Sequence, residues 1–148
     1  MDGPEPMTAF PPRPVRGVRA RYVFQAGCPS DVADATVDFE PWEEGLHLEA
    51  AAGATVHGDP TPEDLARYHA ALAEGVHLEL AEQLPGIPVA LALVVYHTVV
   101  HAVDTSEHSY RKAGRLAVRE VLAHLGLPVD GQTPSRRPAK RGRRQNGS

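Results

Sequence analysis

VALALVVYHTVVHAV (residues 89–103) runs directly into DTSEHSYRKAG (residues 104–114), and the reading of this stretch decides the fold. The first part is rich in β-branched side chains and long enough for a central strand plus the loop at its far end. In the second part, Asp104-Thr105-Ser106-Glu107 supplies the small polar residues and the early carboxylate that start a helix. Tyr110, Gly114, Ala117, Val118, Val121, Leu122 and Leu125 then recur at helical spacing, and Gly126 and Pro128 stop the run.

Working upstream, Thr61-Pro62-Glu63-Asp64 predicts another helix start: a hydroxyl cap, proline at the first helical position and carboxylates where the helix dipole favours them. Leu65, Tyr68, Leu72, Val76 and Leu80 form its apolar stripe, and the helix should end before Pro85-Gly86. Before it, Val18, Ala20, Tyr22 and Phe24 alternate with Arg19 and Arg21 at the period of a half-buried strand. Two more strands read through Thr36–Glu40 and Leu46–Ala50, and the three together suggest an antiparallel meander. Three strands, a helix, a long strand and a helix imply an α+β fold: a two-layer sandwich of a mainly antiparallel sheet with both helices on one face.

The division of the chain follows composition. Residues 1–16 are Pro-rich with little apolar period and read as a disordered lead, residues 17–125 as one domain, and residues 126–148 as a basic disordered tail. Arg136, Arg137, Lys140, Arg141, Arg143 and Arg144 against Asp130 give that tail +5, so with a net charge of −4 the rest carries −9. An acidic body with a basic arm suits contact with nucleic acid through the arm. No apolar run approaches the roughly 20 residues of a spanning helix, and the first residues lack the pattern of a secretion signal, so a cytoplasmic location without membrane partners is expected. Cys28 is the only cysteine, which excludes an internal disulfide. Its neighbours in Gly27-Cys28-Pro29-Ser30-Asp31 are acidic or inert, so the thiol reads as unreactive.

Four stretches carry a resemblance. LPGIPV (84–89) and HAVDTSEHSYRKAG (101–114) resemble the "L-A-G-Y-P-V" and "H-D-V-D-S-S-E" stretches of the ribosomal translocase family, elongation factor G and elongation factor 2, in its fourth domain. AEGVHLEL (73–80) is similar to the family's "K-G-I-x-E-x-L" helix, and VDFEPWEEG (37–45) resembles "I-D-M-Y-P-L-E-P-G". All four occur in the family's order, over roughly residues 36–125. The resemblance implies a left-handed βαβ crossover, a hand it shares with the second domain of a small-subunit ribosomal protein and which periodicity would not supply. It also implies a binding role, since in the translocase this domain enters the decoding region of the small subunit with two loops at its tip. His101 matches the tip histidine, and an imidazole there can donate to a phosphate or a 2′-hydroxyl or stack on a base.

The departures are also specific. Thr98, Val99 and Val100 replace smaller residues ahead of that histidine and stiffen the loop. The family's "G-G-R-G-Q-Y-G-H" loop lies opposite residues 27–34, where Asp31 and Asp34 bring carboxylates that phosphates would repel. No G-x-x-x-x-G-K-[ST] motif occurs, so neither nucleotide binding nor GTP hydrolysis is expected.

The function expected is therefore that of a non-enzymatic, translation-associated protein binding the small ribosomal subunit or its RNA. His101, His97, Asp31 and the six cations of the tail are its candidate contacts, and no cofactor or metal is needed. One alternative is a protein-interaction module that kept the fold and lost RNA binding. Another is a small metal-dependent enzyme built on His97 and His101, which share a face if their segment is a strand, although zinc usually takes three or four ligands. His57 and Asp59 read as a turn, and Phe39 and Trp42 as core.

Overall fold

A computed structural model describes residues 7–24, 31–101 and 105–129. Six elements follow one another: β1 (Val15–Phe24), β2 (Asp31–Pro41), β3 (Gly45–His57), α1 (Pro62–Gln83), β4 (Ala90–Val99) and α2 (Glu107–His124). The sheet order is β1-β2-β4-β3. β1 and β2 pair antiparallel, as do β2 and β4, whereas β3 runs parallel to β4 and reaches it through α1. The expected meander is thus corrected. The most apolar strand, with Leu91, Leu93 and Val95 fully buried, takes a central place between β2 and β3. β3 is largely exposed and lies at the edge, as expected of a strand with little apolar surface to bury.

The helices lie side by side, and their stripes meet the sheet through Leu72, Val76, Leu80, Tyr110, Ala117, Val118, Val121 and Leu122, each at most 1% exposed. Complete burial of each large aliphatic side chain contributes about 1.5–3 kcal/mol. Both predicted caps are present: Thr61 Oγ1 accepts from Asp64 N at 3.0 Å, and Ser106 and Ser109 form a reciprocal capping box. The helices cross where Gly75 faces the Arg111 backbone and Gly114 faces that of Leu72 and Val76, so closely that a Cβ on Gly114 would lie 2.2 Å from Leu72 O.

Two expectations about the ends of the chain are revised. Residues 7–16 belong to the folded unit, since Phe10 is fully buried edge-on to Phe39 (centroids 6.2 Å apart) and its backbone bonds Pro88 O and Ala90 N at 2.9 Å. The Pro-rich composition concealed one large apolar anchor. Leu127 and Val129 also pack on the core, so the segment after α2 does not leave the domain at Gly126. Trp42 is corrected as well: it is 58% exposed, because the turn after Pro41 carries it out of the sheet.

Candidate functional site

The topology brings many ends together at one pole. β1 finishes at Phe24 opposite Asp31, the first residue of β2. β4 finishes at Val99, paired on one side with Asp34 and on the other with His57, the last residue of β3. Both helices begin here. Val100 N donates to His57 O at 2.8 Å beyond the last ladder pair, and Arg67 of α1 bridges to Glu107 of α2 at 3.1 Å. Gly58, with φ at +113°, passes so near Val100 that a Cβ would stand 2.2 Å from its carbonyl oxygen, which fixes the β3–α1 corner against the β4 loop.

His101 sits exposed two residues past the end of β4 at this pole, and its backbone is braced. Its N–H donates to Thr105 Oγ1 at 2.8 Å and its carbonyl accepts from Thr105 N at 2.9 Å. Thr105 Oγ1 in turn donates to Val32 O at 2.9 Å, so one buried hydroxyl ties the β4–α2 loop to β2. Tyr110 Oη reaches the same region from inside, its single proton lying between Val99 O (2.7 Å) and Asp34 O (3.0 Å) across the β2–β4 seam. Burial above all pushes its phenol pKa upward, so this donor stays protonated. The imidazole of His101 is therefore presented by backbone whose position is determined from three elements, while the ring itself faces solvent.

The other candidates are placed differently. His97 lies on β4 within the sheet, opposite Thr36 and Thr55, with Nδ1 2.6 Å from Thr55 Oγ1. β4 ends at Val99, so the period-two argument that put His97 and His101 on one face does not extend to the second. Among the described residues, no three side chains of the His, Cys, Asp and Glu types gather to hold a metal ion. Asp31 is half-buried at the pole. Asp34, read as a second carboxylate of the tip loop, is inside β2 and bound by Arg19 (2.6 and 3.0 Å), with Arg21 at 3.7 Å. That guanidinium neutralises it locally, so the repulsion expected from the sequence reduces to Asp31. Residues 27–30, Asp104, and Arg136, Arg137, Lys140, Arg141, Arg143 and Arg144 lie outside the described residues.

Sequence reasoning overlooked Thr105 as a brace and His57 as a neighbour of the β4 loop. It also missed the apolar rim at the ends of β1 and β3, where Phe24 is 49% exposed and Val56 39%. The hydroxyl beside a helix cap and the continued alternation to Phe24 were the available signals.

No family model matches the chain. Elongation factor G 2 of Streptomyces coelicolor is 32% identical over 120 residues, which cover 76% of this chain and 17% of that protein. A crystal structure of a protein from Thermus thermophilus shares the architecture with a TM-score of 0.59 and 25% identity, over 76% of this chain and 16% of that one. The chain is an elongation factor G domain IV-like protein. It spans about a sixth of the length of each of these relatives. The elongation factor G likeness makes it a translation-related domain, and the pole around His101 is the end at which this fold collects its loops. No helix among the described residues is long and apolar enough to cross a membrane.

Proposed function

We propose that this domain binds the ribosome, at its small subunit or ribosomal RNA, through the pole that carries His101, and that it does so without hydrolysing GTP. The observation that supports this most is the brace around His101: three hydrogen bonds joining His101, Thr105 and Val32 hold an exposed imidazole on rigid elements. Such a side chain can donate to a phosphate or 2′-hydroxyl and stack on a base, the contacts by which proteins recognise RNA without reading a duplex groove. The six cations between residues 136 and 144 add attraction to phosphate that depends on salt rather than on sequence.

Cosedimentation with purified ribosomes tests the reading. Binding at low salt is expected, weakened by His101→Ala at constant salt and weakened further on raising the salt. Absence of the protein from the ribosomal pellet at both low and moderate salt overturns it. Binding that is unchanged by His101→Ala but abolished by neutralising the six cations moves the contact from the pole to the basic segment. Capture of a partner that survives ribonuclease and contains no ribosome favours a protein-interaction role instead.

A further inference from the structure

On the open face of the sheet, away from the helices and at the end opposite His101, Glu40, Pro41, Trp42, Glu49, Ala92 and Val94 line a depression of about 310 Å³. Trp42 is the only tryptophan of the chain and the most exposed of the large hydrophobic side chains among the described residues. The carboxylates nearby are not equivalent. Glu40 is already engaged by Arg16 through two hydrogen bonds of 2.7 and 3.2 Å, whereas Glu43 and Glu44 in the turn after Trp42, and Glu49 on β3, are exposed. An indole face with acidic groups on its rim suits a guanidinium, which can lie on the ring while its N–H groups meet carboxylates.

We infer that this groove docks the chain's own basic segment, residues 136–144. Charge complementarity is the first argument, because the segment holds six cations while the rest of the chain is strongly acidic. Reach is the second. α2 ends at His124, which lies beside the start of β1, and Val129, five residues on, packs against the core. Six residues lie between it and Arg136, seven steps of chain, which is at most about 25 Å when extended. β4 is two strand positions from β1, about 10 Å, so the segment can round the base onto the open face. Tethering is the third argument: a short linker presents the segment at about millimolar effective concentration, so even a Kd of that order closes about half of the molecules. The inference is independent of ribosome binding. Where both hold, phosphate would compete with the groove for the same cations.

Trp42 reports on the contact directly. In the full chain, acrylamide quenching of its fluorescence should be weaker, and its emission shifted to the blue, relative to a full-length variant with the six cations changed to glutamine. The difference should vanish at high salt and in a Glu43→Gln/Glu44→Gln/Glu49→Gln variant that retains the cations. Identical quenching of the wild type and the cation-free variant at low salt overturns the proposal. Protection that grows with protein concentration also overturns it, because the occupant is then the segment of another copy. Protection that persists in the triple glutamine variant places the segment elsewhere and equally removes the groove as its site.

Discussion

Replacing Gly114 with alanine tests the packing of the helix layer by the sign of its effect. Viewed as a helix alone, α2 gains about 1 kcal/mol when an interior glycine becomes alanine. In the fold, the new Cβ would lie 2.2 Å from Leu72 O and 3.0 Å from Val76 N, where ordinary contacts begin near 3.4 Å. The obstacle is backbone of the facing helix and cannot rotate away, so α1 and α2 must part by roughly 1 Å, which forfeits a quarter to a half of the dispersion energy of the contacts they share. Overpacking of this kind costs typically 1–3 kcal/mol, and a fixed carbonyl puts this site at the upper end. Against the propensity gain, the net loss is about 2 kcal/mol, or roughly 10 °C in Tm for a domain of this size. Thermal and urea unfolding followed by circular dichroism measure it. A variant as stable as the wild type, or more stable, would show that the helices do not cross at this glycine. Gly75→Ala, whose Cβ would stand 2.0 Å from Arg111 O, should behave alike, and the double variant should lose less than the sum because the helices need part only once.

Further outcomes are expected at four side chains. Glu79→Ala should cost about 1.5–3 kcal/mol in urea unfolding, because the half-exposed Arg115 (2.7 Å) and Arg119 (2.9 Å) lose the fully buried carboxylate they share. Burial alone would raise the Glu79 pKa, but hydrogen bonds from Gln83, Arg119 and Arg115 outweigh it and hold the value below 4.5; its stabilisation is therefore complete above that pH and lost as the pH falls through the depressed folded value, so Glu79→Gln should flatten the acid limb. Burial depresses the pKa of His69, whose Nε2 lies 2.8 Å from Thr98 Oγ1, so stability should also decline as the pH falls below the ordinary imidazole value of 6.5, and His69→Gln should remove that decline in a pH series of Tm values. Tyr110→Phe should cost about 1–3 kcal/mol, since Val99 O and Asp34 O lose a buried donor, and should weaken ribosome cosedimentation along with Tm, whereas His101→Ala should weaken cosedimentation and leave Tm unchanged.

The helices were legible because their signals are local. Thr61 and Ser106 cap where hydroxyls stand before an apolar stripe, and Leu72, Val76, Val118 and Leu122 are buried where spacing put them. The order of strands was not, because pairing is decided between segments far apart in sequence: nothing within Leu46–Ala50 announces that its partner is β4 rather than β2. Phe10 was hidden by its prolines, which mark irregular backbone but say nothing of whether that backbone packs. At the pole, only a resemblance singles out His101 as a candidate, while its brace by Thr105 and Val32 depends on tertiary contact and leaves no periodic trace. Asp34 shows the reverse error, since its charge was visible in the sequence and the neutralising Arg19 across the strand was not.

Phe10 beside Pro88 and the residues after α2 fasten both ends of the described fold at the pole away from His101. A ten-residue strand spans about 33 Å, so Phe10 and His101 mark opposite ends of the sheet. A pair of fluorophores, one beside Phe10 and one beside His101, would read the orientation of the sheet on any particle that binds the domain.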